Sequence, residues 1–465
     1  MNFSAVHSVY LIGIKGVGMT ALAQILHARG VRVSGSDVAQ RFFTQDVLAR
    51  AGITFVEGFA AINVPAGVDL IIHSTAYGDD HVEIAEARRR GLTMLTYPEA
   101  VALIFNAGKG IAVCGTHGKT TTTAMLGWIL AEAGMDPTVI VGSEVPQFGG
   151  NARVGLSDLV VLEADEYQDK LQHYMPFGMV LTNVDYDHPD FFPTFEAYTD
   201  AFRRFIAKIP PSGFLVACAD DPIIPSLVTA ARCDILFYGF QNHSPIRANR
   251  RMAEPIVWQM IKDGAVWRTG ERVGALSLQL PGRHNQLNAL GALAAAERLG
   301  VSPDVALRAL ASFRGTRRRF EVIGEVNGVT VIDDYGHHPT EIRVTLAAAR
   351  ERYPGRRILC AFQPHTFTRT IALKDEFATA FRDADLTYIM NIFGSARERH
   401  GGVTAAELAA AIAAHNPAVA TGGVQETIAA LLRDARPGDV IICMGAGENN
   451  EVARGLVERF SAAAT

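Results

Sequence analysis

The chain has 465 residues, 49% of them hydrophobic and 20% charged, with a net charge of −5. That is the composition of a globular enzyme with room for about three domains, and it argues against a strongly basic nucleic-acid surface. Five scattered cysteines without a C-x-x-C pair exclude a disulfide framework and a zinc cluster and fit a reducing, cytoplasmic setting, and no apolar run is long enough to span a bilayer.

In chain order, Ser8 to Ile12 reads as a strand, followed by a glycine turn with Gly13, Gly16 and Gly18. A helix with Leu22, Ile25 and Leu26 on one face then closes at Gly30. A second strand, Val31 to Ser34, runs into Gly35-Ser-Asp37. Lys15 in the turn and the strand before it do not fit a secretory signal. Glycines under a diphosphate and an acidic residue about 20 positions on make a Rossmann-type opening. The spacing is G-x-x-G-x-G rather than the dinucleotide order, so a tight turn, a nicotinamide cofactor and a nucleotide sugar all remain open. Asp69 to Ala76 is a further strand, ending in Ser74 and Thr75, which either line the ligand crevice or cap the next helix.

A boundary near 105–109 precedes the most informative stretch, CGTHGKTTTT from Cys114 to Thr123. An apolar strand from Gly110 feeds it. A helix follows, with Met125, Trp128 and Ile129 on one face and Gly134 as its stop. Strand, glycine turn, Lys-Thr and helix is the layout of a phosphate-binding loop. Gly115, Thr116, His117 and Gly118 would form the turn. Lys119 would bring a full charge, and the Thr120 hydroxyl would reach a magnesium ion. The loop is a short variant, because Val113 stands where the general pattern has glycine.

Gln147 to Ser157 reads as a loop rich in glycine and asparagine. The strands Leu159–Glu163 and Met179–Val184 lead into Asp165-Glu166 and Asp185-Tyr-Asp187-His188, so both deliver carboxylates at their C-terminal ends. Beside a phosphate loop, Glu163 and His188 are candidate metal ligands with Thr120, for magnesium or manganese. An amphipathic helix from Thr194 to Ile209 and a strand from Gly213 come next, and the stretch 240–255 reads as a polar loop. Arg283-His284-Asn285 opens an alanine-rich helix, in which Asn285 and Asn288 either cap or read an adenine edge. Arg317 to Arg319 is either a solvated run or reaches a phosphate.

The last section alternates strands (328–334, 357–362, 386–391, 439–444) with helices (404–415, 425–433 and the C-terminus), which predicts a third, parallel-sheet domain. Pro339 starts a helix. His337 and His338 are adjacent on a turn, point apart and do not share an ion. His365 and Arg369 share a helical face and either hold a carboxylate or form a surface cation pair.

GTHGKTTTT, the EADE strand end, DH after a TN turn, GRHNQLNALGALAA, RRRFE, DDYGHHPTE and FQPHTFTRT occur in that order over essentially the whole chain. This resembles the Mur ligases of bacterial cell-wall synthesis. The resemblance implies an α/β protein of three domains: an N-terminal Rossmann-like domain (1–105) for a UDP sugar, a central P-loop ATPase-type domain (106–320), and a C-terminal Rossmann-like domain (321–465) for the incoming amino acid. It implies that ATP phosphorylates the lactyl carboxylate of UDP-N-acetylmuramate and that an amine displaces the phosphate. L-Alanine is the leading amine and L-Ala-γ-D-Glu-meso-diaminopimelate the alternative. By motif, Gly115, Gly118, Lys119 and Thr121 would cradle phosphates, and Thr120, Glu163 and His188 would bind magnesium. Asn288, with His284 and Asn285, would meet adenine. Arg319, Asp334, Tyr335 and His337 would act on ATP, and His365 and Arg369 would hold the substrate's carboxylate or amino-acid end. Gly13, Gly16, Gly18, Asp37, Ser74 and Thr75 would line the UDP-sugar site. The chain departs from the family in Arg203 near the position of a carbamylated lysine, in Tyr167 after EADE, in Thr366, and in Gly445-Ala-Gly447-Glu448 for GAGD. A plain ATPase or kinase, a nicotinamide enzyme and a non-catalytic nucleotide-sugar binder are the competing readings. A monomer and a homodimer are both open.

Overall fold

A computed structural model describes residues 3–240, 256–261, 264–394 and 401–462. All but the first residue of the polar loop expected at 240–255 therefore lies outside the described residues. The chain divides into two compact units. The first holds Met1–Val184, Thr199–Ser277 and Leu287–Arg314. The second holds Asp185–Tyr198, Leu278–Gln286 and Gly315–Thr465. No described helix is long and apolar enough to cross a membrane, and all five cysteines are buried and unpaired.

The first unit carries two sheets. Five parallel strands form the first, in the order Thr54–Glu57, Arg32–Asp37, Ser8–Ile12, Leu70–His73, Met94–Thr96. Ser8–Ile12 is central because its side chains are apolar enough to be covered on both faces, with Leu11 and Ile12 fully buried. The next strand in the chain, Arg32–Asp37, lies on one side of it and Leu70–His73, after the winding turns back, on the other, so the Gly13–Gly18 turn leaves at the point where strand order reverses. The second sheet has ten strands among the described residues. Lys109–Cys114 lies between Gly178–Leu181 and Leu159–Glu163, all parallel, and again the glycine loop leaves at the reversal.

The ends of this second sheet differ from the sequence expectation. Gln147–Ser157 is not a loop throughout: Gly150–Arg153 is an edge strand, antiparallel to Thr138–Val145. Its asparagine is there for a tertiary reason. Asn151 is fully buried, accepts from Gln24 Nε2 at 2.7 Å and donates to the Val17 carbonyl at 2.6 Å. At the other end, Ala265–Arg268 and Glu271–Ala275 form a hairpin. Its two-residue turn, Thr269-Gly270, has positive φ at both positions (47° and 87°), the twist that suits a tight hairpin.

The second unit holds a six-stranded sheet in the order Glu321–Val326, Val329–Asp334, Val440–Gly445, Ile358–Gln363, Leu386–Met390, Ala418–Gly422. Successive residues of its central strands alternate between two cores. Ile358, Cys360, Phe362, Val440, Ile442 and Met444 pack on one side with Ile342 and Leu346 of the helix Pro339–Arg352. Leu359, Ala361, Ile441 and Cys443 pack on the other with Leu431 and Leu456. The sheet is not wholly parallel as expected. Asn327-Gly328 (φ 52° and 77°) turns Glu321–Val326 back as an antiparallel edge strand.

Candidate active site

In the first unit, the chain leaves Cys114 through Gly115 and Gly118, both at positive φ (128° and 79°), and enters the helix Lys119–Glu132. Space as well as φ demands glycine. A Cβ on Gly115 would lie 2.2 Å from Thr182 Oγ1, and one on Gly118 would lie 2.4 Å from Asn288 Oδ1. Thr182 and Asn183 hold the loop from below. Asn183 accepts from the Thr116 amide through its carbonyl (3.0 Å) and from the His117 amide through Oδ1 (2.9 Å). Thr182 Oγ1 donates to the His117 carbonyl at 2.7 Å.

Lys119 Nζ donates to the carbonyls of Gly115 (2.6 Å) and Thr116 (3.1 Å) and pairs with Glu166 at 3.0 Å. Burial alone would push its proton off. The carboxylates of Glu166, Asp165 and Glu163 more than reverse this and hold the ammonium above its ordinary range. Thr120 Oγ1 donates to Glu163 Oε1 at 2.7 Å. A hydroxyl and a carboxylate at hydrogen-bond distance are two hard oxygen donors, a set that fits magnesium. The second Glu163 oxygen accepts from the Gly142 amide at 2.5 Å, which fixes the carboxylate's rotation.

Around the first glycine turn, Gly13 has φ 85°, and a Cβ there would meet Tyr77 at 2.8 Å and Ser74 at 3.0 Å. Gly18 faces the Tyr97 hydroxyl, 2.5 Å from its would-be Cβ, and the Gly16 amide donates to the Gly13 carbonyl at 3.1 Å. Asp37 is buried and closes the turn. Its carboxylate accepts from the amides of Lys15 (2.6 Å) and Val38 (2.8 Å), and burial outweighs these bonds to raise its pKa. The Lys15 ammonium turns away to the Gln40 carbonyl at 2.8 Å. Ser74 Oγ accepts from the Ala76 amide at 3.2 Å, a local turn contact, whereas Thr75 Oγ1 donates to Gln168 at 3.0 Å. His81, not Ser74 or Thr75, caps the next helix.

In the second unit, Asp334 is buried at a strand end and accepts from the amides of Phe320 and Gly336, both at 2.8 Å. Burial raises its pKa against the pull of Arg319. Arg319 pairs with Glu341 at 3.3 Å and lies over the Tyr335 ring. His337 Nδ1 is 3.0 Å from the Tyr335 carbonyl. Burial, with Arg369 nearby, pushes its pKa down to about 3, so the imidazole is neutral. His338 turns elsewhere, with Nε2 3.3 Å from the Tyr186 carbonyl, so the two histidines do point apart. Burial, then Arg319, pushes His284 down to about 4.

The GRHNQLN string is split. His284 and Asn285 fall in the second unit, where Asn285 donates to the Pro281 carbonyl at 2.7 Å, while Asn288 falls in the first, on the Gly118 turn. His365 and Arg369 do come together, with Arg369 Nη1 3.3 Å from His365 Nδ1. They are no surface pair. Arg369 is 5% exposed and sends Nε and Nη2 to Asp187 Oδ1 at 2.9 and 2.8 Å. Burial would raise the Asp187 pKa, but Arg369 and the neighbouring histidines hold it well below the usual range. His188 itself has φ 56°, left-handed and uncommon for a residue with a side chain.

Three family models together match nearly the whole chain: the Mur ligase family catalytic domain over residues 8–109, the Mur ligase middle domain over 113–296, and the Mur ligase glutamate ligase domain over 318–447. A UDP-N-acetylmuramate--L-alanine ligase of Desulfitobacterium hafniense is 40% identical over 97% of this chain and 99% of its own. The chain belongs to the Mur ligase family. A protein of the same description from Symbiobacterium thermophilum is 42% identical over 98% of this chain and 95% of its own. The crystal structure of UDP-N-acetylmuramate-alanine ligase from Thermotoga maritima matches with a TM-score of 0.80 at 26% identity, covering 98% of this chain and 99% of that one. A murein peptide ligase from Psychrobacter arcticus matches at 0.74 and 27% identity, with 98% of each chain covered.

As a Mur ligase, the chain makes distinct use of its departures. Arg203 pairs with Asp200 at 3.0 Å on a helix face. The Tyr167 ring lies under Lys170, which is paired to Asp165 at 2.5 Å. Thr366 (φ 66°) caps a short helix by accepting from the Arg369 amide at 3.4 Å. The Glu448 amide donates to Gln363 at 2.5 Å. Motif reading passed over Asn183, Gly142 and the pairing of Glu166 with Lys119. For Glu166 a signal was present, because a buried loop lysine needs a carboxylate partner.

Proposed function

We propose that this chain is an ATP-dependent amide ligase that joins L-alanine to the lactyl carboxylate of UDP-N-acetylmuramate in peptidoglycan precursor synthesis. The observation that carries this is the phosphate loop of Gly115 to Thr121, with Lys119 fully charged and Thr120 set on Glu163, in a chain 40–42% identical to L-alanine ligases over almost its full length. In the reaction, the lactyl carboxylate oxygen attacks the γ-phosphorus of ATP. The bond to the bridging oxygen breaks and ADP leaves. The alanine nitrogen then attacks the acyl carbon, the carbon–oxygen bond to phosphate breaks, and amide, phosphate and a proton are released.

Each part of the chain has a stated task. Lys119 and the loop amides hold the β- and γ-phosphate oxygens, and Asn288 supports the Gly118 turn near the nucleotide. Thr120 and Glu163 would hold magnesium or manganese, with His188 added by the family motif. When bound, the ion neutralises charge on the phosphoryl group in transfer. The first glycine turn, Asp37, Ser74 and Thr75 take the UDP sugar in the N-terminal domain (1–105). The central domain (106–320) takes ATP, with Arg319, Asp334, Tyr335 and His337 as further contacts by motif. His365 in the C-terminal domain (321–465) serves the amino-acid end, with Arg369 beside it.

A tripeptide acceptor is the second reading, favoured by Tyr167 and by the fold match to the murein peptide ligase. Phosphate release from ATP decides between them, measured with UDP-N-acetylmuramate, magnesium and either L-alanine or L-Ala-γ-D-Glu-meso-diaminopimelate. Turnover with L-alanine is expected. Turnover with the tripeptide alone would move the chain to peptide recycling, and release with neither amine would overturn the ligase reading.

A further inference from the structure

Three consecutive residues, Asp185, Tyr186 and Asp187, are each tied to the second unit's helices. Thr340 Oγ1 donates to Asp185 at 2.6 Å, and His338 Nε2 lies 3.3 Å from the Tyr186 carbonyl. Asp187 is the hub. Its Oδ1 accepts from Arg369 Nε at 2.9 Å, from Arg369 Nη2 at 2.8 Å and from the His188 amide at 2.7 Å. One buried oxygen thus joins an arginine fork to the backbone of the next residue. That residue is held left-handed, and its carbonyl accepts from the amides of Phe191 and Phe192 at 3.0 and 2.9 Å.

We propose that Asp187 is a positioning residue whose ion pair with Arg369 sets the orientation of His188, making Arg369 primarily a support for the metal-ligand segment rather than a direct contact of the amino acid. The inference rests on the ligase reading for the role of His188. Its physical basis is that a left-handed histidine is held only where the surroundings over-determine it. Two N–H groups of one rigid guanidinium converge on Oδ1, a paired grip that the single, rotatable ammonium of a lysine does not reproduce. Groups that orient a metal ligand from behind carry roughly 10- to 100-fold in metal affinity.

The test compares the wild-type chain with Arg369→Lys, which keeps a positive charge beside Asp187 but loses the fork, and with Thr340→Val, which cuts the independent anchor at Asp185. Three quantities are read: Mn2+ affinity in the presence of ADP by electron paramagnetic resonance, amide exchange in the peptide spanning 186–192, and the KM for L-alanine. For Arg369→Lys the inference expects Mn2+ affinity to fall roughly tenfold or more, with faster exchange at 186–192. The KM for L-alanine should move by less than about threefold, since on this reading no contact to the amino acid is lost. Thr340→Val should give the same pattern with a smaller amplitude. A large rise in the KM for L-alanine, with Mn2+ affinity and exchange unchanged, would overturn the inference and return Arg369 to the amino-acid site. A wild-type chain that holds Mn2+ with ADP but forms no amide would sink the ligase reading instead, and the exchange and Mn2+ comparisons would still judge the positioning role.

Discussion

Lys119 shows how tightly one residue binds function to stability. Its partner Glu166 has a fully buried side chain, so Lys119→Ala removes the charge that phosphates meet and strands a carboxylate. Turnover should fall by roughly 100-fold or more, and stability by about 3–5 kcal/mol. Binding of UDP-N-acetylmuramate, followed by calorimetry, should survive, because its proposed contacts lie on the other sheet. The double variant Lys119→Met with Glu166→Gln should recover much of the stability and none of the turnover. Gly118 is a second point of low tolerance. Alanine there meets a left-handed φ of 79° and the Asn288 side chain, a strain of about 1–2 kcal/mol before any clash, and ATP affinity should drop while the UDP sugar still binds. His284 gives a pH signature. Its pKa is about 4 in the folded chain and near 6.5 when unfolded. Between those values the unfolded chain binds more protons, so this contribution is complete above pH 6.5 and is lost as pH falls toward 4. Urea midpoints at pH 7 and pH 5 should draw closer together in His284→Gln than in the wild-type chain.

Elements with a local signal were legible in the sequence. Lys109–Cys114 and its glycine loop could be read because an apolar run, two glycines and Lys-Thr lie side by side. Two hairpins were legible in principle and passed over: Asn327-Gly328 is a strong two-residue turn signal, and Thr269-Gly270 a weaker one. Gly150–Arg153 was not legible, since its only argument for being a strand is what Asn151 does with Gln24 and Val17. That contact predicts an element-scale effect. Asn151→Ala should cost about 1–3 kcal/mol by leaving two half-buried partners unmet. It should also weaken UDP-N-acetylmuramate binding more than ATP binding, because Val17–Ala28 begins at the first glycine turn. Equal losses for both ligands would refute that link. The site was legible residue by residue where a motif names a role, as for Lys119 or Glu163. The pairing of Asp187 with Arg369 was not, because 182 positions separate them and neither residue's neighbours imply the other.

At the scale of the whole molecule, two compact units should melt as two calorimetric transitions. UDP-N-acetylmuramate, with all its proposed contacts in the first unit, should raise only one of them; a single transition, or an equal rise in both, would count against independent units. Neither unit is one continuous run of chain, since each is assembled from three segments. That discontinuity sets an order of events on the ribosome. Asp187 emerges long before Arg369, and at about 5–20 residues per second the wait is roughly 10–40 s. During it a carboxylate destined for burial has no arginine, and the segment from Asp185 to Tyr198 has no unit to join. No single cut separates the two units either, so a nascent or truncated chain ending near Arg314 would carry that segment as an unfinished limb. Chaperones and proteases would meet it first.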